Sequence, residues 1–399
     1  MPAIAITPTV ASVGVLNPTL RVFDIVMNTE FGTSYNSYVI RGKEKTALVE
    51  CSHLDFFDNY LANIGQICDP QEIDYIILNH NEPDHSGALA KLLDVAKNAQ
   101  VVVSKAGGTY LKNITNRTDL NLLEVKDGDT LDLGERTLKF LIAPNLHWPD
   151  SMFTWDEQEG ILFSCDFLGC HYCAPEMLDT TVQNVWEYDS ALAYYYKAIF
   201  GPFPGFVAKG LQKIKDLPIH YVCPSHGPVL TKEGNLSKAI ACYEEWSQPV
   251  ESNEIPVFYV SAYGNTKQLA EAIAQGIRQA KPGHEVQTYD IIQYDMAMLG
   301  DLLNRCKAFA IGSPTINRDA VQPVWELLSH VDAVNCPKKP CLVFGSYGWS
   351  GEAIPNLIAR LTNLKMAVYA DPCRVCFVPT QEDLERAKVA GETFAQGIQ

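Results

Sequence analysis

Short apolar runs separated by polar loops dominate the first part of the chain, up to about residue 250. Runs of this length with polar loops between them are typical of β-strands. They predict a β-rich first domain. The strand-like runs are Tyr38 to Ile40, Tyr75 to Leu78, Thr137 to Ala143, Gly160 to Ser164 and His220 to Cys223.

The second part of the chain has a different pattern, in which strands and helices alternate. Val257 to Val260 is a buried-strand run, and Leu269, Ile273 and Ile277 then recur at the spacing of one helix face. This alternation predicts a parallel, doubly wound α/β sheet of about 145 residues. Its later apolar runs are Ala308 to Ile311, Cys341 to Phe344 and Met366 to Tyr369.

The stretch from Gln248 to Pro256 is polar and contains two prolines, which is typical of a domain linker. We therefore predict a first domain over residues 1–250 and a second over residues 254–399.

Composition narrows the class of protein. The 399 residues include 31 basic and 47 acidic side chains, a formal charge of −16. This charge argues against binding to nucleic acid or to anionic membrane surfaces, which favour basic patches. The apolar windows are too short for a membrane span, and twelve cysteines spread along a long chain indicate reduced thiols. We expect a cytoplasmic protein.

The segment from His80 to Ala88 carries the most informative chemistry. His80, Glu82, Asp84 and His85 lie within six residues, directly after the strand-like run that ends at Leu78. Such a cluster on a tight loop repels itself unless it binds a cation. Three further candidates, His147, Asp166 and His226, also follow short apolar runs. Four histidines and three carboxylates can hold two metal ions with one bridging carboxylate.

The remaining histidines, His53, His171, His220, His284 and His330, fit ordinary structural roles. His171 lies close to Asp166 in sequence and is a weaker catalytic candidate. Tyr195, in a run of three tyrosines, is a second one, because its phenol could lie near the metal pocket.

Three loops in the second domain follow predicted strands and are rich in small and hydroxyl residues. The first leads into a helix, whose free N–H groups and dipole suit a phosphate. The aromatic side chains of the third suit the face of a flavin. The candidate residues are Ser261, Tyr263, Gly264, Asn265 and Thr266; Ser313, Pro314, Thr315, Ile316 and Asn317; and Ser346, Tyr347, Gly348, Trp349 and Gly351.

The metal motif resembles that of the metallo-β-lactamase fold, an αββα sandwich whose usual zinc motif is His-x-His-x-Asp-His. Glu82 stands here in place of the second histidine. A carboxylate shifts the ligand set toward oxygen and favours iron over zinc. The departure argues against hydrolysis.

The three loops of the second domain resemble flavodoxin, which binds FMN. The order of the two domains resembles the flavodiiron proteins, also called A-type flavoproteins. The resemblance implies one iron at His80, Glu82 and His147, a second at Asp84, His85 and His226, and Asp166 as the bridge. His85 is a ligand in only some members. The implied reaction is reduction of dioxygen to water, of nitric oxide to nitrous oxide, or of both, with electrons delivered through FMN.

The resemblance also implies a head-to-tail homodimer, or a homotetramer built from two dimers, in which FMN of one chain serves the irons of its partner. The pairs Cys170/Cys173 and Cys373/Cys376 lie about 200 residues apart, too far for one rubredoxin-like iron site. We interpret them as structural thiols. The electron donor is then a separate rubredoxin-type protein or a reduced deazaflavin.

Two other functions remain open from the residues. One is a dizinc hydrolase of the metallo-β-lactamase type, fused to a flavodoxin electron carrier. The other is an electron carrier whose metal site is purely structural.

Overall fold

The computed structural model of the protein describes residues 2–248, 252–334 and 336–398. The chain divides into two compact units, residues 1–248 and 249–399. The predicted end of the first domain at residue 250 and linker residues 249–251 lie outside the described residues. The exact domain limits of 1–250 and 254–399 therefore stay a prediction.

Two sheets form the centre of the first unit. In the part of the chain that the structure describes, seven strands pair in the order β1-β2-β7-β8-β9-β10-β11 and six in the order β12 to β17. The strands are β1 (Ile4–Ala5), β2 (Val10–Ser12), β3 (Val15–Asn17), β4 (Val22–Phe23), β5 (Met27–Asn28), β6 (Thr33–Tyr35), β7 (Tyr38–Arg41), β8 (Thr46–Val49), β9 (Tyr75–Leu78), β10 (Gln100–Ser104), β11 (Leu122–Val125), β12 (Thr130–Asp132), β13 (Thr137–Ile142), β14 (Met152–Asp156), β15 (Ile161–Cys165), β16 (Tyr221–Pro224) and β17 (Leu230–Thr231).

Side chains of alternate strand positions fill two different cores. Val49 and Ile77 of the seven-stranded sheet pack with Phe140 and Phe163 of the six-stranded sheet, in a core that contains residues of both. Their neighbours along the strands, such as Leu48, belong to a second core with the helices. Successive side chains of a strand point to opposite faces of its sheet. Consecutive apolar residues therefore enter different cores, and both faces of each sheet are apolar.

Helices cover the outer faces and complete the predicted αββα sandwich. They are α1 (Phe57–Ile64), α2 (Pro83–Ser86), α3 (Leu89–Val95), α4 (Lys105–Thr115), α5 (Val185–Tyr195), α6 (Pro204–Ile214) and α7 (Leu236–Trp246).

The second unit has a parallel sheet between helices. Its strands are β18 (Val257–Tyr259), β19 (Thr288–Asp290), β20 (Phe309–Gly312), β21 (Pro340–Tyr347), β22 (Ala367–Val368) and β23 (Cys373–Cys376). Its helices are α8 (Asn265–Ala280), α9 (Met296–Arg305), α10 (Gln322–Ser329), α11 (Ala353–Asn363) and α12 (Gln381–Gln396). All pairings are parallel, in the order β19-β18-β20-β21 with β22 and β23 both on β21. This is the 2-1-3-4-5 order of flavodoxin-like folds.

The predicted fold class is confirmed. The strands predicted from apolar runs in the second domain were incomplete in two places. The strand β19 has only three, partly buried residues, so it has no strong apolar run. The predicted run from Met366 to Tyr369 forms only the two-residue strand β22, and the same edge of β21 continues along β23. The cysteines at both ends of β23 are free thiols, as are all the others.

Among the described residues, no helix is long and apolar enough to cross a membrane.

Candidate metal and flavin sites

Strand ends bring the predicted metal ligands together. The strand β9 leads to His80, β13 leads to His147, β15 leads to Asp166 and β16 leads to His226. The strands β13 and β15 both run antiparallel to β14, and β16 runs parallel to β15. The carboxyl ends of β13, β15 and β16 therefore lie at the same edge of the sheet. A backbone hydrogen bond from Met152 N to Asn79 O joins this sheet to the end of β9.

The first ligand group contains His80, Glu82, His147 and Asp166, with ligand atoms all within 4.8 Å of one another. Glu82 Oε2 lies 3.2 Å from His80 Nε2 and 3.1 Å from His147 Nε2. The carboxylate that replaces the usual second histidine therefore lies between two imidazoles.

The second group contains Asp84, His85 and His226, and its ligand atoms are equally close. Asp84 Oδ2 is 2.9 Å from His226 Nε2, and Asp84 Oδ1 is 3.4 Å from His85 Nε2. The short helix α2 holds both Asp84 and His85.

Asp166 joins the two groups. Its Oδ2 lies 3.7 Å from His147 Nε2 and 3.9 Å from His80 Nε2, on the side of the first group. Its Oδ1 lies 3.2 Å from His85 Nε2 and 3.5 Å from His226 Nε2, on the side of the second. One carboxylate that presents one oxygen to each group has the arrangement that a bridging ligand requires.

Opposite charges compensate one another in this buried site. Burial alone would raise the pKa of Asp166, but the imidazoles of His85, His226 and His80 hold that pKa well below its usual value. Burial would lower the pKa of His85, and Asp84 and Asp166 instead raise it to about 10. Without a metal, protons on the histidines balance the negative charge of the carboxylates. Metal binding must therefore release protons.

Groups around the ligands fix which imidazole nitrogen faces the centre. His80 Nδ1 donates to Asp150 Oδ1 at 3.2 Å, and His226 Nδ1 donates to the carbonyl oxygen of Ser34 at 2.6 Å. In both rings Nε2 is left for a metal. Sequence reasoning missed Asp150, whose buried carboxylate also accepts a hydrogen bond from Asn81 N. Nothing in its local sequence distinguishes it from a loop aspartate.

The two weaker candidates also lie at the site. The Tyr195 hydroxyl donates to Asp166 Oδ1 at 2.9 Å. The ring of His171 lies 4.8 Å from that of His226, and its Nδ1 is 2.9 Å from the Thr33 hydroxyl. Both side chains are buried beside the ligand cluster, and their catalytic role stays a prediction.

Two further carboxyls near the site escaped the sequence analysis. Burial and a hydrogen bond to Glu82 raise the pKa of Asp24 to about 6. Burial raises the pKa of Glu50, which accepts a hydrogen bond from Asn79 N, to about 8. Each comes from a strand end or hairpin far from the motif in sequence, so only the fold reveals the proximity.

The second ligand group fits a cation. The side-chain atoms of Asp84 and His85 are buried, and their contacts with other ligands lack hydrogen-bond geometry. Lone pairs that are buried and unused are costly unless they coordinate an ion. With the first group, the set of four histidines and three carboxylates mixes nitrogen and oxygen ligands, which suits iron.

The flavin loops of the second unit surround a cleft of about 810 Å³. Its lining combines residues that follow β18 and β20, residues at and after the end of β21, and Phe377, which follows β23. Tyr263 and Trp349 are 93% and 99% exposed at the cleft, which leaves flat aromatic surface for a ring to cover.

The N-terminus of α8 lies beside this cleft. Its N-cap is Gly264, at a φ of 84°, and this residue has no side chain to cap the helix. The buried Thr266 hydroxyl lies 2.9 Å from the Ser346 hydroxyl and so connects the first and third loops. A helix start with a glycine N-cap and hydroxyl groups nearby fits the phosphate of FMN.

Ten of the predicted flavin residues line the cleft directly: Tyr263, Asn265, Pro314, Thr315, Ile316, Asn317, Ser346, Tyr347, Gly348 and Trp349. The other five, Ser261, Gly264, Thr266, Ser313 and Gly351, belong to the same loops or helix start but do not line it. Ser261 accepts from Lys267 N, and Ser313 accepts from Val321 N. Sequence reasoning missed the lining residues Ala262, Arg318, Ser350 and Phe377. Ala262 and Ser350 lie within the predicted loops, Arg318 directly follows one, and Phe377 required the unrecognised strand β23.

Comparison with known proteins agrees with both sites. A family model described as ODP family beta lactamase matches residues 33–227, and a flavodoxin model matches residues 257–391. A flavo-diiron protein, FprA2 of Clostridium acetobutylicum, is 51% identical, and the match covers 100% of both chains. This chain belongs to the flavodiiron protein family.

Other members of the family extend the comparison. A nitric oxide reductase of Moorella thermoacetica is 33% identical over 99% of this chain and 98% of its own. The crystal structure of the flavodiiron protein from Giardia intestinalis matches with a TM-score of 0.69 and 30% identity, over 99% and 96% of the two chains. Rubredoxin oxygen:oxidoreductase of Desulfovibrio gigas gives a TM-score of 0.72 and 28% identity, over 99% and 98%.

Membership confirms the predicted cofactors. The flavodoxin domain implies FMN, and flavodiiron proteins carry a non-haem diiron site, for which the first unit has a matching ligand cluster. The protein is thus an oxidoreductase of the flavodiiron type.

Proposed function

We propose that the protein reduces dioxygen to water, nitric oxide to nitrous oxide, or both, at two irons that receive electrons through FMN. The observation that carries the proposal is Asp166, which presents one oxygen to each of two ligand groups. The names of relatives from Moorella and Desulfovibrio support both substrates.

We propose His80, Glu82 and His147 as ligands of one iron, Asp84, His85 and His226 as ligands of the other, and Asp166 as the bridge. His85 Nε2 lies within the second group, which supports its role as a ligand here. Two ferrous ions held by these residues would supply two electrons and a binding place for a small diatomic molecule, and bound FMN would store two more electrons.

Hydrogen bonds with neighbouring residues orient the proposed iron ligands. Asp150 and Ser34 orient His80 and His226, and the Tyr195 hydroxyl holds Asp166 by a hydrogen bond. The partly exposed side of the centre is at Glu82 and His147, whose side chains are 13% and 14% exposed. We expect the diatomic substrate to approach there.

The decisive experiment is anaerobic. Iron, zinc and FMN per chain are measured, the protein is fully reduced, and flavin and iron reoxidation is followed after mixing with dioxygen or nitric oxide. Two irons and one FMN with fast reoxidation support the proposal, and the ratio of rates identifies the preferred gas. Two zinc ions with slow flavin reoxidation would contradict it and favour the hydrolase. Iron with intact flavin redox but no turnover would favour the electron carrier.

We further propose a head-to-tail homodimer, alone or paired into a tetramer. The exposed aromatic side chains of Tyr263 and Trp349 support it, since such surface is typical of contacts with another chain. Mixing an iron-site variant with an FMN-site variant tests it. Random re-pairing should restore about a quarter of the wild-type rate in a head-to-tail dimer. No recovery would contradict it.

The electron donor that we propose is a separate rubredoxin-type protein or a reduced deazaflavin. The name of the Desulfovibrio relative supports the first. Reduction rates of the FMN by each donor, measured under anaerobic conditions, distinguish them. A cytoplasmic location also stays a prediction, which fractionation of the native host tests.

A further inference from the structure

The two ligand groups differ in how solvent can reach them. Glu82 and His147 of the first group are 13% and 14% exposed. In the second group Asp84 is 5% exposed, and His85 and His226 are 1% exposed. Water that reaches the first group therefore does not automatically reach the second.

Rings enclose His226 of the second group. Four of them belong to residues outside the ligand set and have centroids 4.8 to 6.1 Å from the His226 ring. These residues are Phe23, Tyr35, His171 and Tyr195. Three of the four, Tyr35, His171 and Tyr195, carry polar atoms, and two of these, His171 and Tyr195, also line one cavity.

Behind these two residues lies a cavity of about 230 Å³. It opens between the loop after β5 and the helix α5. Its outer lining includes Asn28, Glu30 and Ser190, all exposed, and its inner lining includes His171 and Tyr195. The volume has room for on the order of half a dozen water molecules.

One atom on the inner wall requires a partner. His171 is 4% exposed, its Nδ1 contacts Thr33, and its Nε2 is buried without a hydrogen bond to the protein. A buried ring nitrogen of this kind is normally satisfied by water. Tyr195, on the same wall, reaches Asp166 Oδ1 directly.

We propose that this cavity is the path by which water reaches and leaves the buried half of the metal centre, with His171 and Tyr195 as its last polar groups. The path is distinct from the exposed side at Glu82 and His147, where the diatomic substrate approaches.

This inference rests on the proposed function, because the proposed reactions are the reason that water and protons must reach and leave the site. Dioxygen with four electrons and four protons yields two water molecules, and two nitric oxide molecules with two electrons and two protons yield nitrous oxide and one water. Either reaction needs protons to enter and water to leave. A second opening allows this traffic without crossing the route of the gas.

Ser190→Trp tests the path, because the residue is exposed at the outer mouth and a large side chain there fills it. Ala193→Trp is the matched control, since Ala193 is exposed on the same helix but does not line the cavity. Iron and FMN contents are first shown to be equal. The partly reduced holoenzyme is then mixed with ¹⁷O-labelled water and frozen at intervals, and broadening of the iron EPR signal is followed.

We expect Ser190→Trp to slow the broadening several-fold and Ala193→Trp to leave it unchanged. Equal rates in all three proteins would overturn the proposal, and so would equal slowing by both variants, because added bulk on α5 would then explain the effect. The readout is the arrival of water, so it does not depend on turnover of either gas.

A crystal structure of the protein supplies a readout that needs no iron. An ordered water at hydrogen-bond distance from His171 Nε2, continued by others toward Ser190, supports the path. A dry cavity, or one closed by a neighbouring chain of the assembly, overturns it.

Discussion

The metal site and the flavin site are built in opposite ways. The metal site consists of buried side chains whose charges compensate one another, with Asp166 2% exposed at its centre. The flavin site consists of loop backbone, hydroxyl groups and aromatic rings, with Trp349 99% exposed. Single side chains therefore matter most at the first site, whereas contacts are shared among many residues at the second.

The largest effect is expected from His147→Asn. It removes an imidazole 3.1 Å from Glu82, and iron content should fall while FMN stays bound. Turnover should fall by about 100-fold, the upper end of what the loss of metal-site partners costs. Metal analysis and gas-consumption rates measure both. His220→Asn, an exposed histidine, is the control. Unchanged turnover in a variant shown to lack iron would refute the site.

The corresponding change at the flavin site needs two substitutions. Asn265→Ala with Thr266→Val removes polar contacts at the start of α8, and FMN affinity should fall by about 100-fold or more while iron is retained. Fluorescence titration of the flavin measures the affinity. The control is Gln268→Ala, on an exposed position of the same helix. Full flavin occupancy in the double variant would mean that the first loop does not hold the phosphate.

A smaller effect is expected one contact away from the metals. Asp150→Asn weakens the hydrogen bond to His80 Nδ1, and iron affinity should fall by about tenfold. Competition with a chelator measures it. Asp119→Asn, at an exposed ion pair with Arg117, is the comparison. Equal iron retention by both variants would show that Asp150 does not support the ligand.

The last effect concerns the stability of the metal-free protein and involves neither turnover nor the binding of iron or FMN. Burial raises the pKa of Glu50 from 4.5 to about 8. Between these values the folded state keeps a proton that the unfolded state loses, so this group makes stability fall as pH rises, by at most about 1.4 kcal/mol per pH unit. Glu50→Gln should reduce the fall in Tm between pH 5 and pH 8, as measured by calorimetry.

Glu72→Gln, at an exposed position, should leave that pH dependence unchanged. A Glu50→Gln protein with the wild-type pH dependence would show that Glu50 is ionised in the folded state.

Local sequence determined much of this protein. The apolar runs predicted a β-rich first domain and a doubly wound α/β second domain, because strand and helix periodicities depend on neighbouring residues. The αββα sandwich of the first domain came from the family resemblance. The cluster from His80 to His85 predicted a metal site, since four ligands in six residues are close to one another on a tight loop. The loops after β18, β20 and β21 predicted the flavin cleft, because the carboxyl ends of parallel strands meet at one edge. Their detailed roles came from the family resemblance.

Only the tertiary structure decided the rest. Asp150, Asp24 and Glu50 lie in ordinary sequence surroundings, and their proximity to the ligands depends on contacts between residues far apart in the chain. The same holds for the two-sided position of Asp166 and for the cavity at His171 and Tyr195. A sequence states which groups are available, whereas distances between strands, and hence burial, charge compensation and solvent access, are set by how the sheets pack.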